Sequence, residues 1–460
     1  MKLTLQEEAE KIYYEDPAAH DASGIAANDR IEHSEISYHG NAIKVLYFPK
    51  AFTGEGYALV KRAGETMWRI LIKVMEEYYA HEDYRKLFGF PKVLEELILA
   101  RPHYRCLLPI CRLDMFLNEE TGEFRYCEFN ADGSSAMNEN RVMAGVYRET
   151  KMYEALNRDY VQRPFELFDS WVRVFLEICK DTNELPEHPN VAVVDFLEKS
   201  INTTELQRFA EAFERAGSRA EVAEIRDLAF DGAHLYTKDG MRVDAIYRRA
   251  VTSDVLTHRE EIEPFLSAVR KKKVCLVGDF CTQIVHDKIL FRILHLERTL
   301  SFLSEEEADY IREHVPYTAV LTRETAKRGD VRDTARHWIL KPQDSYGAQG
   351  IYDSSDYDSN AWGRLLDEHA DKGCVVQEFV QPYRTLNADY TKTDYGNNAY
   401  QQQAAGQKSP YVHSFANMTG MYLYGGKLAG IYSRLSPHNI ISVEGDEHEM
   451  VSVVATPRKG

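Results

Sequence analysis

Apolar residues recur every three to four positions across residues 56–78, the spacing of one helix face, within an N-terminal stretch that reads as helix-rich to about Tyr79. A second helical run covers residues 91–100. From Leu107 the rhythm becomes extended: residues 107–117, a polar turn at 118–123 that contains Gly122, then residues 124–130, the pattern of a β-hairpin. A separate α/β unit is predicted between about Asn190 and Asp279, with strands at 191–194, 220–225 and 274–277, a helix at 204–216 and a hairpin around Lys238-Asp239-Gly240. Strand, helix, strand in that order implies a parallel sheet with a crossover. In the last third, helices at 288–298 and 305–313 alternate with strands at 337–341, 375–379, 421–424 and 428–432, and the polar stretch 391–410 predicts a long surface loop.

At 460 residues the chain is long enough for two or three packed units of roughly 150 residues each. The rhythm changes divide it at 1–185, 186–281 and 282–460. Hydrophobic residues at 44% and charged residues at 28% are ordinary for a folded protein. A formal net charge of −17 argues against nucleic acid as a partner. No apolar run approaches the roughly 18 residues of a membrane helix, and Glu7-Glu8 stands where a signal peptide would turn apolar. Seven cysteines, an odd number without a Cys-x-x-Cys pair, predict reduced thiols and a cytoplasmic location. Lys271-Lys272-Lys273 reads as a solvated face.

The hairpin carries the first chemistry. With its turn centred near Thr121, Asp114 lies opposite Glu128 and Arg112 opposite Asn130, so these four share one strand face. Leu113, Met115, Cys127 and Phe129 take the other face and pack into a core. Two carboxylates and an amide oxygen are the hard donors that magnesium prefers; the alternative is a solvent-facing side with an Arg–Asp pair. Downstream, Lys341-Pro342 ends an apolar strand and runs into a loop holding Tyr346, Gly347 and Gly350. Such a loop can fold backbone N–H groups over phosphates while the lysine supplies charge, although an ordinary turn has the same composition. A third element, Gln377-Glu378-Phe379-Val380, is an apolar strand running into a hinge, which could present backbone groups to adenine or be a plain core strand. Arg248-Arg249 reads as a surface pair, with substrate carboxylate binding as its alternative.

Together these elements resemble the ATP-grasp superfamily, and within it the circularly permuted branch represented by the synthetase domain of glutathionylspermidine synthase. The matching residues are Arg112-Leu113-Asp114-Met115 with Glu128-Phe129-Asn130-Ala131-Asp132, then Asp287-Lys288, Lys341-Pro342 with the lid Tyr346 to Gly350, the hinge Gln377 to Val380, and Arg434. Their order, with the acidic hairpin far upstream of both lysines, is that of the permuted branch. The lid lacks that family's arginine, so neither glutathione nor a polyamine is implied as substrate.

The resemblance implies an α/β (α+β) architecture, a circularly permuted ATP-grasp fold with a Rossmann-like pre-ATP-grasp subdomain. It further implies an ATP-dependent ligase that joins a small-molecule carboxylate to an amine through an acyl phosphate. ATP and Mg2+ would be its cofactors: Asp114, Glu128 and Asn130 as metal ligands; Lys288, Lys341, Tyr346, Gly347, Gly350, Gln377, Glu378, Phe379 and Val380 around the nucleotide; Arg112 and Arg434 as catalytic cations. Alternatives are another acceptor on the same site (thiol, hydroxyl or direct phosphoryl transfer), a nucleotide-binding regulator without turnover, or a scaffold whose charged hairpin is only surface.

Overall fold

Thr53 starts the longest helix, Gly54–Ala80, by accepting a hydrogen bond from the Gly56 N–H (3.2 Å). Its buried stripe, Val60, Ala63, Met67, Ile70, Leu71, Val74 and Tyr78, keeps the spacing of one helix face and sets the orientation of the core sheet beneath it. Gly64 lies on that stripe, where an added Cβ would stand 3.2 Å from both Leu423 and Met421. The computed structural model describes residues 2–38, 41–102, 104–182, 185–198, 203–344, 350–391, 409–442 and 446–458.

The core sheet is antiparallel, in the order His448–Met450, Lys427–Ser436, Val412–Tyr424, Ile110–Leu117, Phe124–Asn130, with Arg384–Ala388 also paired to Val412–Tyr424. The hairpin therefore pairs with strands some three hundred positions later; Leu113 faces Met421 and Asp114 faces Gly420. Leu113, Met115, Phe129, Met421, Leu423 and Ile431 point into the core with the long helix.

The predicted parallel unit is present. Cys275–Val277, Ala245–Arg248, Val191–Asp195 and Ala220–Glu224 form a four-stranded sheet, every neighbour parallel. Val191, Val193 and Tyr247 pack with helices Asp169–Lys180 and Thr203–Arg215, whereas Ala192, Val194 and Ile246 pack with Glu263–Arg270. Both faces are covered, which is why these strands read as unbroken apolar runs. A second antiparallel sheet, Thr318–Val320, Cys374–Glu378, Trp338–Pro342 and Tyr352–Asp353, closes its own small core around Trp338, Leu340, Trp362, Leu366 and Val376. A three-stranded sheet joins Lys50–Phe52, Ser452–Pro457 and Tyr160–Pro164.

Three expectations need correction, and a fourth lies outside the description. The helix expected at 288–298 is two short pieces, Ile289–Leu294 and Glu297–Leu300, separated by the extended Leu296, and a further turn, Gln283–His286, precedes them. Asp287 adopts an extended conformation and its carboxylate accepts the Ile289 N–H (2.8 Å), so it ends one turn and begins the next. Cys127 does not share the core face of Leu113 and Phe129. The ladder slips between Asp114 and Met115, leaving Cys127 as the extra residue of a bulge, and its side chain joins Phe116, Met418 and Ile441 on the opposite face. Arg248 and Arg249 are buried rather than surface residues. The loop expected at 391–410 falls mostly outside the described residues. Lys271, Lys272 and Lys273 are exposed as expected. Among the described residues no helix is long and apolar enough to cross a membrane.

The hairpin turn holds a buried ion pair. Glu119 accepts hydrogen bonds from Lys50 Nζ and from Thr4 Oγ1 (2.5 Å), and Lys50 also donates to Asn417 Oδ1 (2.7 Å). One ammonium thus ties the N-terminal segment, the hairpin turn and the long strand together, with both ions almost wholly out of water. Lys50→Met, which strands the Glu119 charge, should cost about 3–5 kcal/mol in urea denaturation, whereas the Lys50→Met/Glu119→Leu double variant should recover a large part of it.

Candidate functional site

Arg112, Asp114, Glu128 and Asn130 project from one face of the hairpin, with Arg112 opposite Asn130 and Asp114 opposite Glu128. Asp114 has no exposure to solvent. Arg112 grips it through Nε (2.9 Å to Oδ1) and Nη2 (3.1 Å to Oδ2). Arg434, two strands away, donates to Oδ2 (2.7 Å), and Asn130 Nδ2 donates to the same oxygen (2.9 Å). Gly420 makes room for this cluster, since a Cβ there would stand 2.7 Å from Asp114 Oδ1 and 3.0 Å from Arg112 Cδ. The two guanidinium groups stay charged in the interior: burial works against each, and the neighbouring carboxylates outweigh it.

Glu128 is the more open carboxylate. Lys288 Nζ stands 3.2 Å from its Oε1. Burial alone would raise its pKa, but Lys288, Arg434, Lys341 and Arg112 together hold it at about 2. Lys288 is positioned by the broken helix, where its backbone N–H donates to Gln343 O (3.0 Å) at the end of the Trp338–Pro342 strand. Lys341 leaves that strand to donate to Gln377 Oε1 (2.9 Å) and to Cys127 O (3.3 Å); burial lowers its pKa.

These groups border one cavity of about 700 Å³. Gln377, Glu378, Phe379, Val380, Ile339, Ile351, Met418 and Ile441 line part of it. Phe379 stacks on His337 with ring centroids 3.8 Å apart, and the Glu378 and Phe379 N–H groups donate to Tyr317 O (2.9 Å) and His337 O (3.0 Å). Val380 is thus the first hinge position beyond the strand pairing. Arg112, Glu128, Asn130, Lys288, Lys341 and Arg434 line it as well. Tyr346 and Gly347 lie outside the described residues. Gly350, in a left-handed conformation (φ 70°), packs beside Pro342 and does not border the cavity, although Ile351 does.

Among the described residues no three His, Cys, Asp or Glu side chains converge as a ready metal site. The donor chemistry nevertheless fits a hard cation at Glu128 and Asn130. The Asn130 NH₂ group faces the two carboxylates, which leaves its amide oxygen available (Nδ2 is 2.9 Å from Asp114 and 3.4 Å from Glu128). Asp114 stands behind them, already accepting from three side chains.

Several cavity residues escaped the sequence reading. Glu449 is buried, accepts from Tyr432 Oη, and is pushed well above the ordinary carboxyl range by burial and by the nearby Glu139 and Glu447. Arg249 and His286 also border the cavity. Of these, only Arg249 carried a signal, as part of the Arg248-Arg249 pair.

No protein-family model matches the chain, and no curated protein matches it. Among solved structures, a glutathione synthetase-like effector from Globodera pallida, in its apo form, superposes with a TM-score of 0.58 at 10% identity, covering 94% of this chain and 96% of that one. A candidate gamma-glutamylcysteine synthetase from Methylobacillus flagellatus KT reaches a TM-score of 0.42 at 11% identity, covering 89% and 90%. The superposition with the effector shows a shared fold, an α/β architecture that in this chain includes a four-stranded parallel, Rossmann-like lobe.

Because Glu128 is held below its ordinary value of 4.5 in the folded chain, its ionisation supports the fold above that pH, and the support is lost as pH falls toward 2. Glu128→Gln should therefore flatten the acid limb of the unfolding midpoint between about pH 4.5 and pH 2, measured by differential scanning fluorimetry across a buffer series.

Proposed function

We propose that this chain is an ATP-dependent carboxylate–amine ligase that forms an amide bond through an acyl phosphate, resembling glutathionylspermidine synthase in a circularly permuted ATP-grasp arrangement. The observation that carries the reading is the convergence of Arg112, Glu128, Asn130, Lys288, Lys341 and Arg434 on a single cavity that the Gln377–Val380 hinge also lines. Those side chains span Arg112 to Arg434 in the sequence, and Asp114, 320 positions from Arg434, joins three of them from behind. A surface hairpin has no need of such a convergence.

In this reading adenine lies beside Phe379, with the Val380 N–H as the backbone donor. Lys288 and Lys341 neutralise the phosphates. Glu128 and Asn130, backed by Asp114, would hold magnesium, which supplies charge neutralisation between the phosphate oxygens. Without nucleotide, Lys288 and Glu128 neutralise each other; phosphate for the lysine and a cation for the glutamate would let that pair separate without leaving either charge bare.

The substrate carboxylate oxygen attacks the γ-phosphorus, ADP departs, and the carboxyl carbon becomes an acyl phosphate. An amine then attacks that carbon, phosphate leaves, and the amine proton is lost. Arg112 and Arg434 are fixed on Asp114, so they meet the negative charge that develops on the transferred group and on the tetrahedral centre without having to reorganise. No side-chain nucleophile is required, and every cysteine among Cys111, Cys127, Cys179, Cys275 and Cys281 is buried.

ATP with magnesium should raise the unfolding midpoint, by an amount that grows with nucleotide concentration. Phosphate release across a panel of small carboxylates and amines should require one of each. Glu128→Gln should abolish the magnesium-dependent release while leaving the circular dichroism spectrum unchanged, and Arg112→Ala or Arg434→Ala should lower turnover about 10²-fold or more. No nucleotide-dependent shift at millimolar MgATP would falsify the assignment.

A further inference from the structure

Arg248 and Arg249 are adjacent, both buried, and chemically in opposite situations. Arg248 is saturated. Its Nε donates to Gly278 O, its Nη1 to Ala250 O and its Nη2 to Asp132 Oδ1 (2.7 Å), while Asp132 also accepts the Thr252 N–H. That guanidinium is a brace between the hairpin's outgoing turn and the parallel sheet.

Arg249 borders the cavity with only 7% of its surface exposed. Its one ion-pair partner is Glu205, with Nη1 2.8 Å from Oε1 but not aligned as a hydrogen bond, and neither Nε nor Nη1 has an acceptor. Glu205 is itself drawn elsewhere, since its Oε2 accepts the N–H groups of Met137 (2.8 Å) and Asn138 (3.1 Å) at the start of helix Met137–Tyr147. The helix end shares the glutamate's charge, and Asp195, which lines the same cavity, is the other carboxylate whose charge reaches the guanidinium. The Phe209 and Tyr247 rings flank the guanidinium, each 5.7 Å from Cζ. Burying donors of a charged group without acceptors is costly, and natural interiors avoid it unless a ligand completes the set.

The neighbourhood is shaped for close approach. Gly133 (φ 70°) lets the turn after the hairpin lie against Arg249, where a Cβ would come within 2.8 Å of the Arg249 carbonyl oxygen. Ser134 and Ser135 continue that turn along the same cavity, and Arg112 reaches back to Ser135 O (3.4 Å). A molecule held at Arg112 and Arg434 can therefore extend past the serines to Arg249 inside one continuous space.

We infer that Arg249 is a second anion subsite, and that the carboxylate substrate of this cavity carries a further carboxylate which Arg249 receives while the first is activated beside Arg112 and Arg434. A carboxylate suits the site because its two oxygens satisfy a guanidinium without displacing Glu205 from the helix end. The inference rests on the ligase reading for the role of the first carboxylate, but the binding itself needs no turnover.

Calorimetric titration tests it with a series of linear diacids from succinate to sebacate, each against its monomethyl ester, with and without magnesium and the β,γ-imido analogue of ATP. At least one diacid should bind about tenfold or more tightly than its monoester. Arg249→Gln should erase that preference, and Arg249→Lys should keep part of it. The Glu205→Gln/Arg249→Gln double variant, which leaves no lone buried charge, should erase it too and guards against misfolding of the single variant. Nucleotide binding should be the same in all of them. Nucleotide binding with no diacid preference anywhere in the series, or a preference that survives Arg249→Gln, overturns the subsite alone. Diacid preference without nucleotide binding overturns the ligase reading and leaves the subsite standing.

Discussion

Asp114 is a carboxylate sealed from water by two guanidinium groups and an amide. A lone charge in that position would cost several kcal/mol, and the arrangement persists only because the donors are close and multiple. Arg112 comes from the same strand and Arg434 from a strand two removed, with the Val412–Tyr424 strand between them contributing a glycine at the point of closest approach. The ion cluster thus does two things at once. It locks the middle of the core sheet in register, because a one-residue slip would turn each of these charges toward the apolar side. It also fixes the two cations that border the cavity, so that their positions are determined before any ligand arrives.

What surrounds the cluster is softer. Lys288 and Lys341 lean on Glu128, Gln377 and a backbone carbonyl, all partners that can be exchanged. The sheet of Trp338–Pro342 carries its own small core, and its links to the rest include the Arg125–Glu378 ion pair (2.9 Å), the Lys288–Gln343 backbone bond (3.0 Å) and the bond from Lys341 to the Cys127 carbonyl (3.3 Å).

The architecture was largely legible in the sequence, and for physical reasons. The long helix shows a clean helical stripe, the parallel strands are unbroken apolar runs because both faces are covered, and strand alternation alone puts Arg112 with Asp114 and Glu128 with Asn130 on one face, although the opposition of Asp114 to Glu128 also needs the bulge at Cys127. Three kinds of feature were not legible. The bulge at Cys127 breaks alternation by a single residue, which no periodicity can show. Leu296 splits the helix expected at 288–298 by adopting an extended conformation that its surroundings select. Glu119 in a polar turn and Arg249 beside Arg248 look like solvated charges, and their burial is decided by partners far away in the chain, Lys50 and Glu205. Single-sequence reasoning sees composition and local rhythm; it does not see which distant charge will come to neutralise a given one.

The pairing of Ile110–Leu117 with Val412–Tyr424 has a consequence for how the chain comes into being. During synthesis the acidic hairpin is made some three hundred residues before the strand that lies beside it and the arginine that neutralises it. Until then the nascent chain holds an unpaired strand edge and an apolar sheet face with nothing to shield them, a state prone to sticking to its neighbours. Assembly of the cavity therefore waits until Val412–Tyr424 and Arg434 have been made.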